Sequence, residues 1–247
     1  MSVDERMVHD IVQKVMANMQ ISGSVSGMHG VFKDMNDAIN ASIEAQKKVC
    51  TMTLDQREQI ISLIRKKTHE NAEILANMGV NETGMGNVGD KILKHHLTAD
   101  KVPGTEDIST IAWSGDRGLT LVEMGPFGVI GAITPATNPS ETVICNCIGM
   151  LAGGNTVVFN PHPNAKKTTI YTINMINEAS IEAGGPDNIA VTVEAPTLDT
   201  SAIMMKHPSI HLLVATGGPG VVTAVLSSGK RAIGACLLYT SPSPRDA

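Results

Sequence analysis

The sequence predicts an α/β fold: a doubly wound parallel sheet, preceded by helices. Three observations predict it. From Phe32 to about Val102 the apolar residues recur at helical spacing. From Thr120 onward, short β-rich runs alternate with helical stretches, which is the pattern of βαβ crossovers under a sheet covered on both faces. The turns that leave those runs are rich in Gly, Pro, Asn and Thr.

The amino terminus carries the first predicted helix. Ser2-Val3-Asp4-Glu5 has the form of a capping box. Val3, Met7, Val8, Ile11, Val12, Val15, Met16 and Met19 then make one apolar stripe, with Asp4, Glu5, Arg6, Asp10, Gln13 and Lys14 opposite. The stripe is broken by charges and lacks the unbroken apolar stretch of a secretory signal. Its acidic residues argue against a mitochondrial presequence. Ser22-Gly23-Ser24-Val25-Ser26-Gly27 reads as a flexible linker. A short tethered helix cannot bury its own stripe, so it docks within an oligomer or on a partner. The predicted division is a helix at 1–20, a linker at 21–30, a nucleotide-binding domain at 31–235 and a tail at 236–247.

In the body, Met35, Ala38, Ile39 and Ile43 share a helical face. Thr53-Leu54-Asp55-Gln56 is a second capping box, and Ile60, Ile61, Ile64, Ile74 and Leu75 continue the apolar rows. Gly79, Gly84, Gly86 and Gly89 interrupt them, and Lys91 to Lys101 forms another predicted helix. Strands are predicted at Thr120–Glu123, Val129–Thr134, Thr156–Phe159, Ile189–Val193, His211–Ala215 and near Arg231–Ile233. Helices are predicted at Ser140–Leu151, Ala165–Glu182, Thr197–Met205 and Gly220–Ser228. After Ala235 the period is lost, and two prolines argue against further sheet or helix. Residues 236–247 therefore read as a non-native extension on a truncated frame, the alternative being a natural disordered tail. A sheet truncated in this way should fold poorly, with an open edge.

Composition excludes some classes of function. The net charge of -5 gives no reason to expect nucleic acid or an anionic membrane as partner. No apolar run reaches the roughly 18–20 residues of a membrane span. Cys50, Cys145, Cys147 and Cys236 have neither disulfide-framework nor zinc spacing, and each reads as a buried thiol in a reduced cytoplasmic compartment. His95 and His96 diverge on a helix and make a poor metal pair.

Ligands of open parallel sheets bind beyond the carboxyl ends of the strands. That singles out the loops Thr134–Asn138, Asn160–Asn164, Val193–Thr197 and Thr216–Gly220. Thr137 and Asn138 stand beside a helix start, where Asn138 either caps the helix or donates to a developing oxyanion. His162, between two prolines, is either a solvated loop residue or a nucleotide contact. Thr216-Gly217-Gly218-Pro219-Gly220 is either a tight turn or a backbone approach to phosphate. It is not the GxGxxG fingerprint.

Taken in order, Asn81-Glu82-Thr83-Gly84-Met85-Gly86, Pro126-Phe127-Gly128-Val129-Ile130, Thr137-Asn138-Pro139, Pro161-His162-Pro163 with Ala165-Lys166-Lys167, and Ala215-Thr216-Gly217-Gly218-Pro219-Gly220 resemble the CoA-acylating aldehyde dehydrogenases of bacterial microcompartments. The resemblance runs from about Val31 to Ala235. It implies an aldehyde dehydrogenase-like fold, NAD as cofactor, coenzyme A as co-substrate, a short aldehyde as substrate and a homo-oligomer. It also implies that the amino-terminal helix is an encapsulation segment for shell or cargo proteins. The implied chemistry is thiolate addition to the aldehyde, hydride transfer to NAD and passage of the acyl group to CoA. The implied cofactor contacts are Thr134, Pro135, Ala136, His162, Thr216, Gly217, Gly218 and Val221, and Thr137 and Asn138 are the oxyanion candidates. Hydrolytic relatives carry Pro-x-Asn-x-Pro, whereas Pro135-Ala136-Thr137-Asn138-Pro139 has its Asn one place later, with Thr137 at the aligned position. Those relatives have Lys where His162 stands. None of the four cysteines lies in the context expected for the nucleophile, so this chain alone is expected to be inactive. The competing readings are a partner-binding fragment acting through residues 2–19, and a non-acylating aldehyde dehydrogenase.

Overall fold

Val129–Thr134 and Thr156–Pro161 are apolar along both faces, and each is buried along nearly its whole length, as central parallel strands require. They pair with each other in parallel register, Val129 opposite Thr156 and Thr134 opposite Pro161. The computed structural model describes residues 27–236. The helix predicted at 1–20, most of the 21–30 linker and the tail beyond Cys236 lie outside the described residues.

In chain order the elements are β1 (Val31–Phe32), α1 (Met35–Val49), α2 (Leu54–Glu70), α3 (Ala72–Thr83), α4 (Val88–Lys101), β2 (Ile111–Gly115), β3 (Gly118–Val122), β4 (Val129–Thr134), α5 (Pro139–Ala152), β5 (Thr156–Pro161), α6 (Lys166–Glu182), β6 (Ala190–Val193), α7 (Leu198–Lys206), β7 (Ile210–Gly217), α8 (Pro219–Leu226) and β8 (Arg231–Cys236). Six strands form one parallel sheet in the order β1-β6-β5-β4-β7-β8. Successive side chains of a strand face opposite ways. Val157 and Phe159 therefore join Ile60, Ile64, Ile144, Ile148 and Ile176 of α2, α5 and α6 on one face. Val158 joins Met35, Ile39, Met204 and Val225 of α1, α7 and α8 on the other. The capping box at Thr53 is present, with Gln56 N donating to Thr53 Oγ1 and Thr53 N to Gln56 Oε1.

The structure corrects four expectations. Phe32 is not helical: with Val31 it forms a short parallel strand beside β6, because Thr192 N and Glu194 N donate to Gly30 O and Phe32 O. The strand predicted at Thr120–Glu123 does not enter the parallel sheet. It is part of β3, which pairs antiparallel with the unpredicted β2 through the Gly115–Gly118 turn, so the alternation that was read as βαβ begins only at β4. Cys236, assigned to the tail, closes β8 opposite Gly217. Cys50 and Cys145 are exposed, whereas Cys147, on the core side of α5, is a buried thiol. Cys50 sits past the last turn of α1, and Cys145 lies on the α5 face turned from the core.

Candidate functional site

From β4 the chain winds to β5 and β6 on one side, then returns to β7 and β8 on the other. The strand order reverses between β4 and β7. α5 leaves β4 toward one face and α8 leaves β7 toward the opposite face, so a crevice must open between their first turns. It is a cleft of about 270 Å³, walled by Ile133–Thr137 after β4, Asn160–Pro163 after β5, Thr197, Leu198 and Ser201 at α7, and Thr216–Gly218 with Val221 after β7. Thr134, Pro135, Ala136, Thr137, His162, Thr216, Gly217, Gly218 and Val221 are thus brought together. Asn138 is not in this cleft. It lines a neighbouring depression of about 340 Å³ with Lys94, Leu97, Cys145 and Asn146, and Thr216 borders both.

The helix starts around the cleft are not equivalent. The first amides of α6 are taken by Glu82, whose carboxylate accepts from Lys167 N, Thr168 N and Thr168 Oγ1, each at 2.7 Å. α7 is closed by its own capping box, Thr197 with Thr200. α5 and α8, which flank the crevice, have no side-chain cap. These are the two ends still able to receive a negative group.

Four observations fit a dinucleotide at this cleft. The hydroxyls of Thr134 and Thr137 are buried without a hydrogen-bond partner, and both residues line it. An orphaned buried hydroxyl needs an acceptor or donor from elsewhere. Gly218 has an ordinary φ of -72°, and a Cβ there would meet nothing within 4 Å, while one on Gly217 would make only ordinary contact with Val221. Neither glycine is demanded by the chain's own packing, so the space they leave belongs to the cleft. His162 is exposed, and its Nδ1 accepts from Asn164 N at 3.2 Å. That bond fixes the neutral tautomer with the proton on Nε2, leaving an N–H donor at the rim. Most of the remaining lining is apolar, from Ile133, Pro135, Ala136, Pro161, Pro163, Leu198 and Val221, as a ring-binding wall should be.

Under the Asn138 loop lies a buried polar cluster that sequence reasoning missed. Lys91 Nζ donates to Thr137 O at 2.6 Å, Asn138 Oδ1 at 3.1 Å and Glu141 Oε1 at 2.9 Å. His95 Nδ1 lies 2.7 Å from Lys91 O, and its Nε2 lies 2.7 Å from Ser140 Oγ. The carbonyl can only accept, so Nδ1 carries the proton, and the single Ser140 hydroxyl proton has two neighbouring acceptors, His95 Nε2 and, at 3.2 Å, Glu141 Oε2. Desolvation holds the His95 pKa below its ordinary value, with the nearby Glu141 opposing that shift. Asn138 is the residue before α5, but its side chain makes no capping bond. Its carbonyl oxygen turns to Lys91 instead. His96 points elsewhere, to His69. The only trace of this cluster in the sequence was a Lys and a His at i and i+4 in a predicted helix, which is ordinarily a solvated pair.

No described cysteine lines the cleft. Cys145 borders the Asn138 depression, where desolvation pushes its thiol up, and burial pushes Cys147 up much further. Among the described residues there is no helix long and apolar enough to cross a membrane.

Residues 17–241 match the aldehyde dehydrogenase family. The chain belongs to that family. An acetylating acetaldehyde dehydrogenase of Bilophila wadsworthia is 46% identical over 227 residues, covering 88% of this chain and 46% of the relative. The structure of a propionaldehyde dehydrogenase from the fucose utilisation bacterial microcompartment of Clostridium phytofermentans superposes with a TM-score of 0.83 at 72% identity, covering 84% of this chain and 48% of that one. A propionaldehyde dehydrogenase of Rhodopseudomonas palustris, solved with bound propionyl-CoA, superposes with a TM-score of 0.81 at 49% identity, covering 83% and 46%. This aldehyde dehydrogenase chain therefore spans about half the length of the relatives it matches.

Proposed function

We propose that this chain supplies the dinucleotide-binding half of a CoA-acylating aldehyde dehydrogenase, which converts a short aldehyde, CoA and NAD to acyl-CoA and NADH. The observation that carries the reading is the cleft at the β4/β7 crevice, lined by Thr134 and Thr137 with their unpartnered hydroxyls and flanked by two helices without side-chain caps. Acylating relatives in the same family support the choice of reaction. NAD, when bound, supplies the hydride acceptor. The chain's own residues do the rest of the binding. Gly217 and Gly218 admit the phosphates to the backbone, His162 Nε2–H meets a ribose hydroxyl, and Pro161, Pro163 and Leu198 keep water from the rings. Asn138, in the adjoining depression, faces the reacting carbonyl. The acyl-carrying thiolate comes from outside residues 27–235.

NADH fluorescence tests the reading in the 247-residue chain. Saturable enhancement on titration is expected, without turnover of acetaldehyde or propionaldehyde. No binding at millimolar NADH would overturn the cofactor assignment, and NAD-dependent oxidation by this chain would overturn the assignment of the nucleophile elsewhere. In the complete enzyme, acyl-CoA rather than free acid should be the product.

Two further readings attach to the same enzyme. Residues 1–20 are the segment proposed to dock on microcompartment shell or cargo proteins, in keeping with the compartment origin of a 72% identical relative. Their fusion to an unrelated soluble protein should co-localise with shells, and a fusion that stays diffuse would end that idea. The β2–β3 hairpin, which exposes Ile111, Trp113, Leu119 and Leu121, supports a homo-oligomer that covers it.

A further inference from the structure

We propose that Lys91 is a positioning residue, whose buried ammonium clamps the side-chain carbonyl of Asn138 and thereby aims the Asn138 Nδ2 amide at the reacting aldehyde oxygen. The proposal rests on the dehydrogenase reading above. It concerns which atom of which residue meets the oxyanion.

The argument begins with donor chemistry. Lys91 is 3% exposed and its Nζ lies 3.1 Å from one terminal atom of Asn138. An ammonium has three protons and no lone pair, so the atom facing it must be the amide oxygen. The exposed Lys94 approaches the same atom at 3.5 Å, another donor-only group. The opposite orientation would set an NH2 group against two cations. The amide is therefore locked by charge, with Nδ2 on the far side. There it donates to no group among the described residues, and Asn138 borders the depression shared with Thr216.

The clamp is itself held on every side. Lys91 spends its other two protons on Thr137 O, at 2.6 Å, and Glu141 Oε1, at 2.9 Å. The first bond pins the backbone just before Asn138, and the second neutralises the charge. One cation thus fixes both the backbone and the side-chain torsion of the donor. When a thiolate adds to an aldehyde, the new C–S bond pushes the C=O π pair onto oxygen, and nothing is oxidised in that step. A donor already aimed at that oxygen needs no reorganisation when the charge appears. Thr137 lines the nucleotide cleft instead, so the one-place displacement of Asn relative to hydrolytic enzymes moves the donor to the depression rather than removing it.

The test uses a complete dehydrogenase polypeptide carrying this segment and reads NADH formation, which precedes any choice between CoA and water. Failure to form acyl-CoA would then sink the acylating reading without touching this one. Lys91→Met alone would strand Glu141, so it is paired with Glu141→Gln. That double variant should lose kcat by about tenfold, with the Kd for NAD within twofold. Asn138→Asp, which keeps an acceptor for Lys91 and loses the N–H, should lose roughly 100- to 1000-fold in kcat. A double variant retaining kcat within twofold, or an Asn138→Asp that does so, overturns the proposal. An equal rise in the Kd for NAD would mark a merely structural role and overturns it too. The orientation is read independently in the 247-residue chain by side-chain 15N NMR. One Asn138 amide form is expected, becoming two exchanging forms in the double variant. A single unchanged form in that variant refutes the clamp.

Discussion

Replacing Glu141 by Ala removes the only carboxylate, among the described residues, that pairs with the Lys91 ammonium. The two side chains are 4% and 8% exposed and 2.9 Å apart. Water cannot take over the role of the lost partner at that depth. The ammonium would keep Thr137 O and Asn138 Oδ1 but no counter-charge. Breaking a buried pair from one side costs about 3–5 kcal/mol, whereas replacing both partners by apolar groups of similar volume is often close to neutral. For a domain of this size the single change lowers Tm by roughly 6–20 °C. The assay is a double-mutant cycle in urea: Lys91→Met, Glu141→Leu and the two together. The coupling should be large, with the double variant more stable than either single one. Additive losses in the double variant would refute the reasoning, because the two charges would then not depend on each other.

Acid should weaken the fold through His95. Desolvation lowers its folded pKa from 6.5, so the unfolded chain binds a proton that the fold refuses. Stability is complete above about pH 6.5 and falls below it, with a slope of up to about 1.4 kcal/mol per pH unit. His207, lowered by desolvation, adds in the same sense. Urea midpoints from pH 7 to 5 read this, and His95→Gln should flatten the curve. Gly218→Val puts a side chain into open cleft space, so the Tm should hold within about 3 °C, since a surface change costs little. The Kd for NADH should rise at least tenfold; an unchanged Kd would place the phosphates elsewhere. Glu82→Ala removes the acceptor of two α6 amides and the Thr168 hydroxyl, each at 2.7 Å, and should cost about 1–3 kcal/mol in urea unfolding, which a null result would contradict. Gly30→Ala should destabilise strongly, because the added Cβ would sit 2.3 Å from Asn177 Nδ2 and 2.4 Å from Ala190 O, at a φ of +76°. A soluble variant with wild-type Tm would show that this turn relaxes.

Much of the fold was legible because its signals are local. β4 was predicted at its observed bounds, since Val129–Thr134 is an apolar run between a Gly and a Pro. α5, α6, α7 and α8 were each found within about two residues at either end. β1 escaped because two residues carry no period, and only the distant β6 makes them a strand. The β2–β3 hairpin was half missed because both strands are apolar yet exposed, so the alternation that marks a half-buried strand is absent. The candidate cofactor loops could be named from strand ends and resemblance. Their convergence follows from the reversal of strand order at β4 and β7, which no single loop contains.

The sequence by itself determined the family, the β/α alternation and the short list of loops that could meet a nucleotide. The alternation and the loops depend on spacing within a few turns of chain, and the family on the resemblance of whole motifs taken in order. Only the tertiary structure decided that Glu82 fills the α6 start and that α5 and α8 remain open. Only it set Thr137 in one depression and Asn138 in the next. The physical reason is that a buried charge is placed by its partners. Lys91 meets Thr137, Asn138 and Glu141 across some fifty residues of chain, and a lysine in a helical pattern carries no local mark of where its ammonium will end.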